Sequence, residues 1–260
     1  MQNRHTDRLK YFSELAATTE EYFMPYIKTF HDIYAGTEVL EIGCGEGGNL
    51  LPFAEAGCKV TGIDISANRI RQAKEFFSST GLAADFINAN IFDYSPRKRF
   101  FDIILCHDVF EHISPKAELL DFCHCHLKPK GVVFLAFPPW QMPFGGHQQI
   151  CRNRFLSHAP FIHLFHKSVY RKLLQLGKET NDCIEELMNI KSTSVSIDQF
   201  HRLVNRSKLG ISDQELWFIN PHYKQKFGIK PRKLNTAISR IPYFRDFVTS
   251  AFICILKPKS

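Results

Sequence analysis

The chain has 260 residues, 44% of them hydrophobic and 23% charged, with a formal net charge of +7. Such proportions suit one substantial buried core and exclude a disordered tail or a coiled coil. The longest unbroken apolar run, Gly131 to Phe137, is far short of the roughly 20 residues a bilayer span requires, and no charged-then-apolar export pattern opens the chain. A cytoplasmic globular protein is expected, and its eight cysteines, mostly within apolar stretches, suit reduced buried thiols better than a disulfide framework.

An amphipathic N-terminal helical segment over residues 1–35 carries Leu9, Phe12, Leu15, Phe23 and Ile27 at apolar positions. A strand–turn–helix rhythm follows, with strands over Glu38 to Ile42, Lys59 to Ile63, Asp85 to Asn88, Phe101 to Cys106 and Val132 to Phe137. Helices near Asn49 to Glu55, Ala67 to Ser78 and Lys116 to His126 connect them, the second capped by Ser66. This alternation predicts an α/β, doubly wound, mostly parallel sheet. Residues 138–195, crowded with His, Phe, Pro and Arg, break the rhythm and read as an inserted cap. Helical spacing resumes at Ile197, Phe200, Leu203 and Val204, and apolar strands over Glu215 to Ile219 and Ala251 to Leu256 bring the expected sheet to seven strands in a single domain, 1–260.

The first strand runs into Glu41-Ile42-Gly43-Cys44-Gly45-Glu46-Gly47-Gly48, a turn whose glycines let the backbone approach a ligand closely. The spacing also satisfies the dinucleotide fingerprint, so the loop alone does not choose a cofactor. Its neighbours do. Glu41 would repel a pyrophosphate but attract an ammonium or sulfonium group. Asp64, ending the second strand, is placed to accept ribose hydroxyls, with Ile65 available to cover an adenine face. The stretch Asn88-Ala89-Asn90-Ile91 offers an amide and a backbone N–H to the adenine edge.

Together these residues resemble the class I S-adenosylmethionine-dependent methyltransferases, strongly over residues 35 to 137 and loosely in the final strands. The resemblance implies S-adenosylmethionine as cofactor. It places Glu41, Gly43 and Gly45 around the methionine part, with Cys44, Gly47 and His107 also in the cofactor site. Asp64 falls at the ribose, and Asn90, Ile91 and Ile65 at the adenine. Asn90 departs from the Asp common in the family, and Lys130 replaces one glycine of the Leu-Lys-Pro-Gly-Gly turn.

After the fourth strand, His107-Asp108-Val109-Phe110-Glu111-His112 sets polar groups at the strand's carboxyl end, where doubly wound folds bind ligands. In a helical turn Asp108, Glu111 and His112 would share one face. The pattern is similar to the Glu/Glu/His divalent-metal set of ubiquinone-pathway O-methyltransferases, with Asp108 shorter than the family's Glu, so a divalent metal held by Asp108, Glu111 and His112 is one expectation and a metal-free polar wall another. His112 and His147 are candidate general bases, since imidazole titrates near neutrality, and Asp108 could orient them. Pro138-Pro139-Trp140 follows the fifth strand and reads as a rigid exit, while Cys123-His124-Cys125-His126 points four ways on a helix and reads as packing.

Residues 201 to 260 hold twelve Lys/Arg against Asp213, Glu215 and Asp246. A solvated face explains most such biases, although an anionic substrate or a membrane-associated one would also suit them. The expected function is methyl transfer from S-adenosylmethionine to an oxygen of a small or lipid-linked acceptor. RNA methylation through the basic region and cofactor binding without chemistry are the alternatives, with nucleic acid the weaker partner for lack of any RNA-binding module.

Overall fold

A computed structural model describes residues 7–95 and 98–259. Helix α1 (Arg8–Thr18), capped by the Asp7 side chain on Lys10 N–H, runs through a π-helical turn at Thr19–Phe23 into α2 (Met24–Lys28). Strands β1 (Glu38–Ile42), β2 (Lys59–Asp64), β3 (Asp85–Asn88), β4 (Phe101–His107) and β5 (Leu127–Phe137) follow, linked by α3 (Leu51–Glu55), α4 (Ala67–Thr80) and α5 (Lys116–His126). Helix α4 starts on the Ser66 side chain and stops at Gly81, whose φ of +72° suits a residue without a Cβ.

Strands β1 to β5 are mutually parallel in the order β3-β2-β1-β4-β5. Beyond β5 the sheet turns antiparallel through β8 (Ala251–Pro258), β6 (Leu209–Ile219) and β7 (Arg232–Lys233). The sheet is therefore eight-stranded, not seven-stranded. The extra strand is two exposed basic residues on the edge, too short to show the alternation that marks a strand in sequence. Strand β6 also begins six residues earlier than its apolar run, because its first half takes its order from pairing with β8.

Alternation along the central strands divides the core into two layers. Val39, Ile103, Leu105, Val132 and Phe134 pack with Phe12, Phe23 and Ile27 from the N-terminal helices. Leu40, Ile104, Val133 and Phe137 face the other way, toward Leu119 and Leu120 of α5 and Phe200 of α9 (Ile197–Arg206). Burying a side chain such as Phe200 contributes about 1.5–3 kcal/mol. Helix α9 begins with a reciprocal capping box between Ser196 and Gln199.

Between β5 and α9 lie α6 (Arg154–His158), α7 (Lys167–Leu176) and α8 (Asn181–Thr193). They enclose a small core of their own built on Leu156, Tyr170, Leu174, Ile184 and Leu187. Helices α10 (His222–Phe227), α11 (Thr236–Ser239) and α12 (Phe244–Val248) connect β6 to β8 around β7. Among the described residues no helix is long and apolar enough to cross a membrane.

Candidate active site

The strand order reverses direction between β1 and β4, which opens a crevice at their carboxyl ends. A cavity of about 900 Å³ occupies that position, bounded by the loops after β1, β2 and β4, by α1, by the cap and by α10. The β1 loop turns through left-handed glycines. Gly43 has φ +67°, and a Cβ there would stand 2.4 Å from Val109 Cγ2. Gly45, at φ +54°, has nothing within 4 Å of its missing Cβ and leaves that side of the cavity open.

Glu41 is fully buried at the end of β1. Its Oε1 accepts from Asn49 Nδ2 at 2.6 Å, and Asn49 Oδ1 accepts in turn from Thr19 Oγ1 at 2.8 Å. The π-helical turn of the N-terminal segment is thus tied to the cofactor loop, as is Arg8 of α1 by its ion pair with Glu46. Glu41 Oε2 is buried without a hydrogen-bond partner. Burial pushes the Glu41 carboxyl up to about 8; Asn49 opposes the shift and Asp64 adds to it. His107, buried at the end of β4, sits with Nδ1 3.4 Å from Asn49 Nδ2 and its ring against Phe23.

Asp64 ends β2 with Oδ2 accepting from Gly45 N–H at 3.0 Å and Oδ1 accepting from Ser66 N–H at 2.8 Å. The carboxylate therefore clamps the glycine loop and the start of α4 together, while lone pairs remain for a ligand. Ile65 is 77% exposed on the cavity rim, an apolar surface that a flat ring would cover. Asn90 and Ile91 line the same end, with Asn90 Oδ1 accepting from Phe92 N–H.

At the other end His112, His147 and Glu111 converge. Glu111 Oε1 lies 3.6 Å from His112 Nε2 and 3.8 Å from His147 Nε2, and the two imidazoles meet edge to face at 4.9 Å. Burial holds His112 down to about 4, aided by His147, and lowers His147 as well. Burial raises the Glu111 carboxyl well above its ordinary range, with Asp108 adding repulsion, and neither of its oxygens has a hydrogen-bond partner. The ligand atoms that gather within 4.8 Å of one another are those of Glu111, His112 and His147; Asp108 is not among them. The expected trio is corrected in this respect. The backbone after β4 does not continue as a helix: Asp108 takes φ +52°, and its Oδ2 lies 3.7 Å from His107 Nε2.

Residues 39–131 match the methyltransferase-domain family. The ubiquinone biosynthesis O-methyltransferase of Rhodopseudomonas palustris (strain TIE-1) is 39% identical over 101 residues, covering 39% of this chain and 40% of that protein. Its counterpart in Actinobacillus pleuropneumoniae serotype 5b is 30% identical over 118 residues, covering 44% and 50%. Residues 39–131 are thus a segment similar to class I S-adenosylmethionine-dependent methyltransferase domains. The match spans half or less of the length of these relatives. Over the whole fold, a putative sarcosine dimethylglycine methyltransferase from Galdieria sulphuraria superposes with a TM-score of 0.60 at 14% identity, covering 92% of this chain and 84% of that one. The plantazolicin methyltransferase in complex with SAH gives 0.53 at 15% identity, covering 99% and 87%.

The cavity has walls that the sequence motifs do not announce. Tyr11 and Arg8 of α1, Asn49, and His222, Tyr223 and Lys226 of α10 all line it. Burial, then Asp108, pushes the Tyr11 phenol up to about 12 and raises that of Tyr223. Of these only the amphipathic helix and the basic stretch were legible, and neither indicated which side chains turn inward. In that basic stretch Lys224 pairs with Glu21, Lys233 with Glu215, and Arg245 with Asp198. Cys123 is buried and Cys125 exposed on α5, so the Cys-His-Cys-His run spreads around the helix.

Proposed function

We propose that this domain moves the methyl group of S-adenosylmethionine to a hydroxyl oxygen of a small or lipid-linked acceptor. The observation that carries the reading is one cavity with two chemically distinct ends. Glu41 and the glycine loop suit a cationic methionine moiety, and Asp64 with Ile65 suits a nucleoside. The Glu111, His112 and His147 group stands at the acceptor end.

When bound, the cofactor supplies an electrophilic methyl group whose transfer leaves a neutral thioether. As the acceptor oxygen took the methyl group, its proton would pass to an imidazole nitrogen of His112 or His147. Burial keeps both rings neutral at pH 7, so a lone pair is available on each. Alignment of the reacting groups supplies up to about 7–11 kcal/mol, and a positioned base adds about 10²–10⁴ in rate.

The resemblance to the ubiquinone-pathway enzymes also implies a divalent cation. One buried carboxylate without a partner and two neutral imidazoles within 4.8 Å form a donor set that fits one. Glu111, His112 and His147 would hold it, and it would polarise the acceptor hydroxyl as a Lewis acid in place of the imidazole base, since a ring that ligates has no lone pair left for a proton.

The test is to incubate the full chain with S-adenosylmethionine and, separately, a catechol, a simple phenol and an aryl amine, with S-adenosylhomocysteine measured by chromatography. Turnover with a hydroxyl acceptor supports the reading. Turnover with the amine alone removes it, and cofactor binding without turnover on any of the three favours a non-catalytic binder. The ion pairs already made by Lys224, Lys233 and Arg245 weigh against RNA as the acceptor. Salt-sensitive RNA binding would restore that alternative.

A further inference from the structure

Within the cap, three side chains from separate segments meet. Cys151 is buried in the loop after the short turn Gln148–Ile150, Glu179 is buried between α7 and α8, and Cys183 is half-buried in the first turn of α8. One ligand atom from each lies within 4.8 Å of the other two. The Glu179 carboxylate is already aimed, since Oε2 accepts from Arg152 N–H at 3.0 Å and Oε1 from Asn153 N–H at 2.8 Å. Each oxygen keeps a lone pair for a further partner.

We infer that Cys151, Glu179 and Cys183 form a binding site for a thiophilic divalent cation of the Zn²⁺ class. Two sulfur donors select against Mg²⁺ and Ca²⁺, and three protein ligands leave a fourth tetrahedral position for water. The two backbone N–H groups play the orienting part that outer partners play in metal sites. Without a cation, burial pushes the Cys151 thiol up to about 12, with Cys183 and Glu179 adding to the shift. A bound cation replaces the thiol protons and cancels that repulsion, so binding releases protons and tightens as pH rises.

The position gives the ion a structural task. The loop that ends at Cys151 contributes His147, Gln149 and Ile150 to the cavity wall, and the helix that starts beside Cys183 contributes Glu186, Asn189 and Ile190. A cation between them staples the two sides of the acceptor wall. The inference is independent of the acceptor's identity and of the methyl-transfer reading.

The experiment is a Co²⁺ titration of the reduced, chelator-treated full chain, followed by the near-ultraviolet thiolate-to-cobalt charge-transfer absorption. A band that saturates at one equivalent and is bleached by Zn²⁺ is expected. Cys151→Ser and Cys183→Ser should abolish it, whereas His112→Ala combined with His147→Ala should leave it intact, which separates this site from the histidine-rich one. Glu179→Gln should weaken Co²⁺ binding. Circular dichroism melts of the half-buried Cys183→Ser variant establish that it folds. Absence of the band in the wild-type chain, or its survival in both cysteine variants, overturns the inference. So does a denatured, unreduced chain that titrates two thiols fewer than the reduced one, which would make the pair a disulfide.

Discussion

Asn49 donates through Nδ2 to Glu41 Oε1 at 2.6 Å, and the second oxygen of that carboxyl is buried with no partner. With Glu41 on the cavity wall and its carboxyl raised to about 8 chiefly by burial, the group is largely protonated at pH 7 before a ligand binds. A cationic ligand favours the ionised form, so binding S-adenosylmethionine releases a proton. Affinity should strengthen as pH rises from 6 toward 8, approaching tenfold per unit, and level off above. Glu41→Gln should flatten that profile and weaken binding at pH 8 by about 10- to 100-fold, the scale of a lost charge-assisted contact of about 1.5–3 kcal/mol. Isothermal calorimetry in buffers of different ionisation enthalpy measures both; equal affinity and equal slope in the variant would contradict the assignment.

Asp64 clamps the glycine loop to the start of α4 and is the ribose ligand we propose. Asp64→Ala should abolish detectable cofactor binding while the chain still melts cooperatively. Asp64→Asn keeps one carbonyl acceptor for a backbone N–H and should bind with intermediate affinity. Unchanged affinity in the alanine variant counts against the ribose role.

The histidine pair sets a pH profile displaced to lower pH than that of an ordinary imidazole. Burial lowers both, and His112 as far as about 4, so the His112 ring is neutral throughout pH 6–8. With His112 as the base, kcat at saturating cofactor should stay flat over that range and fall only as the pH approaches 4. Replacing the ring that takes the proton by alanine should lower kcat about 10²- to 10⁴-fold, with little change in cofactor affinity. A kcat that rises with a midpoint near 6.5 would show that neither ring behaves as described.

Glu111 offers a stability test. Its folded carboxyl is raised above the unfolded value, so the native chain holds the extra proton between the two. Stability from this group is present at low pH and is lost as pH climbs through the ordinary carboxylate range toward the raised value. Glu111→Gln removes that dependence and should raise the melting temperature at pH 8 more than at pH 5. Differential scanning calorimetry at the two pH values decides it, and a variant that melts lower at pH 8 refutes it.

Much of the fold is legible in the sequence, for identifiable reasons. The buried strands and Ser66-capped α4 follow from local chemistry, and the glycine turn with Glu41 and Asp64 announces itself by spacing. The edge strand Arg232–Lys233 did not, because two exposed basic residues carry no periodicity. Nor did Asn49 and Tyr11, whose roles depend on which way a helix faces once docked. The substitution of His147 for Asp108 beside Glu111 has the same origin: the two lie 39 positions apart, and only the cap's return over the β4 loop brings His147 close.

The packing of α1 on the loop after β1 has a mechanical corollary. A single added methyl on Gly48 would stand 2.5 Å from the carbonyl oxygen of Phe12, so the roof of the crevice rests directly on its floor. Exchange of spent for fresh donor between turnovers should then require the leading helix to lift. Its amide protons should exchange with deuterium faster in the vacant domain than in the loaded one, as a latch opens more often when nothing is held behind it.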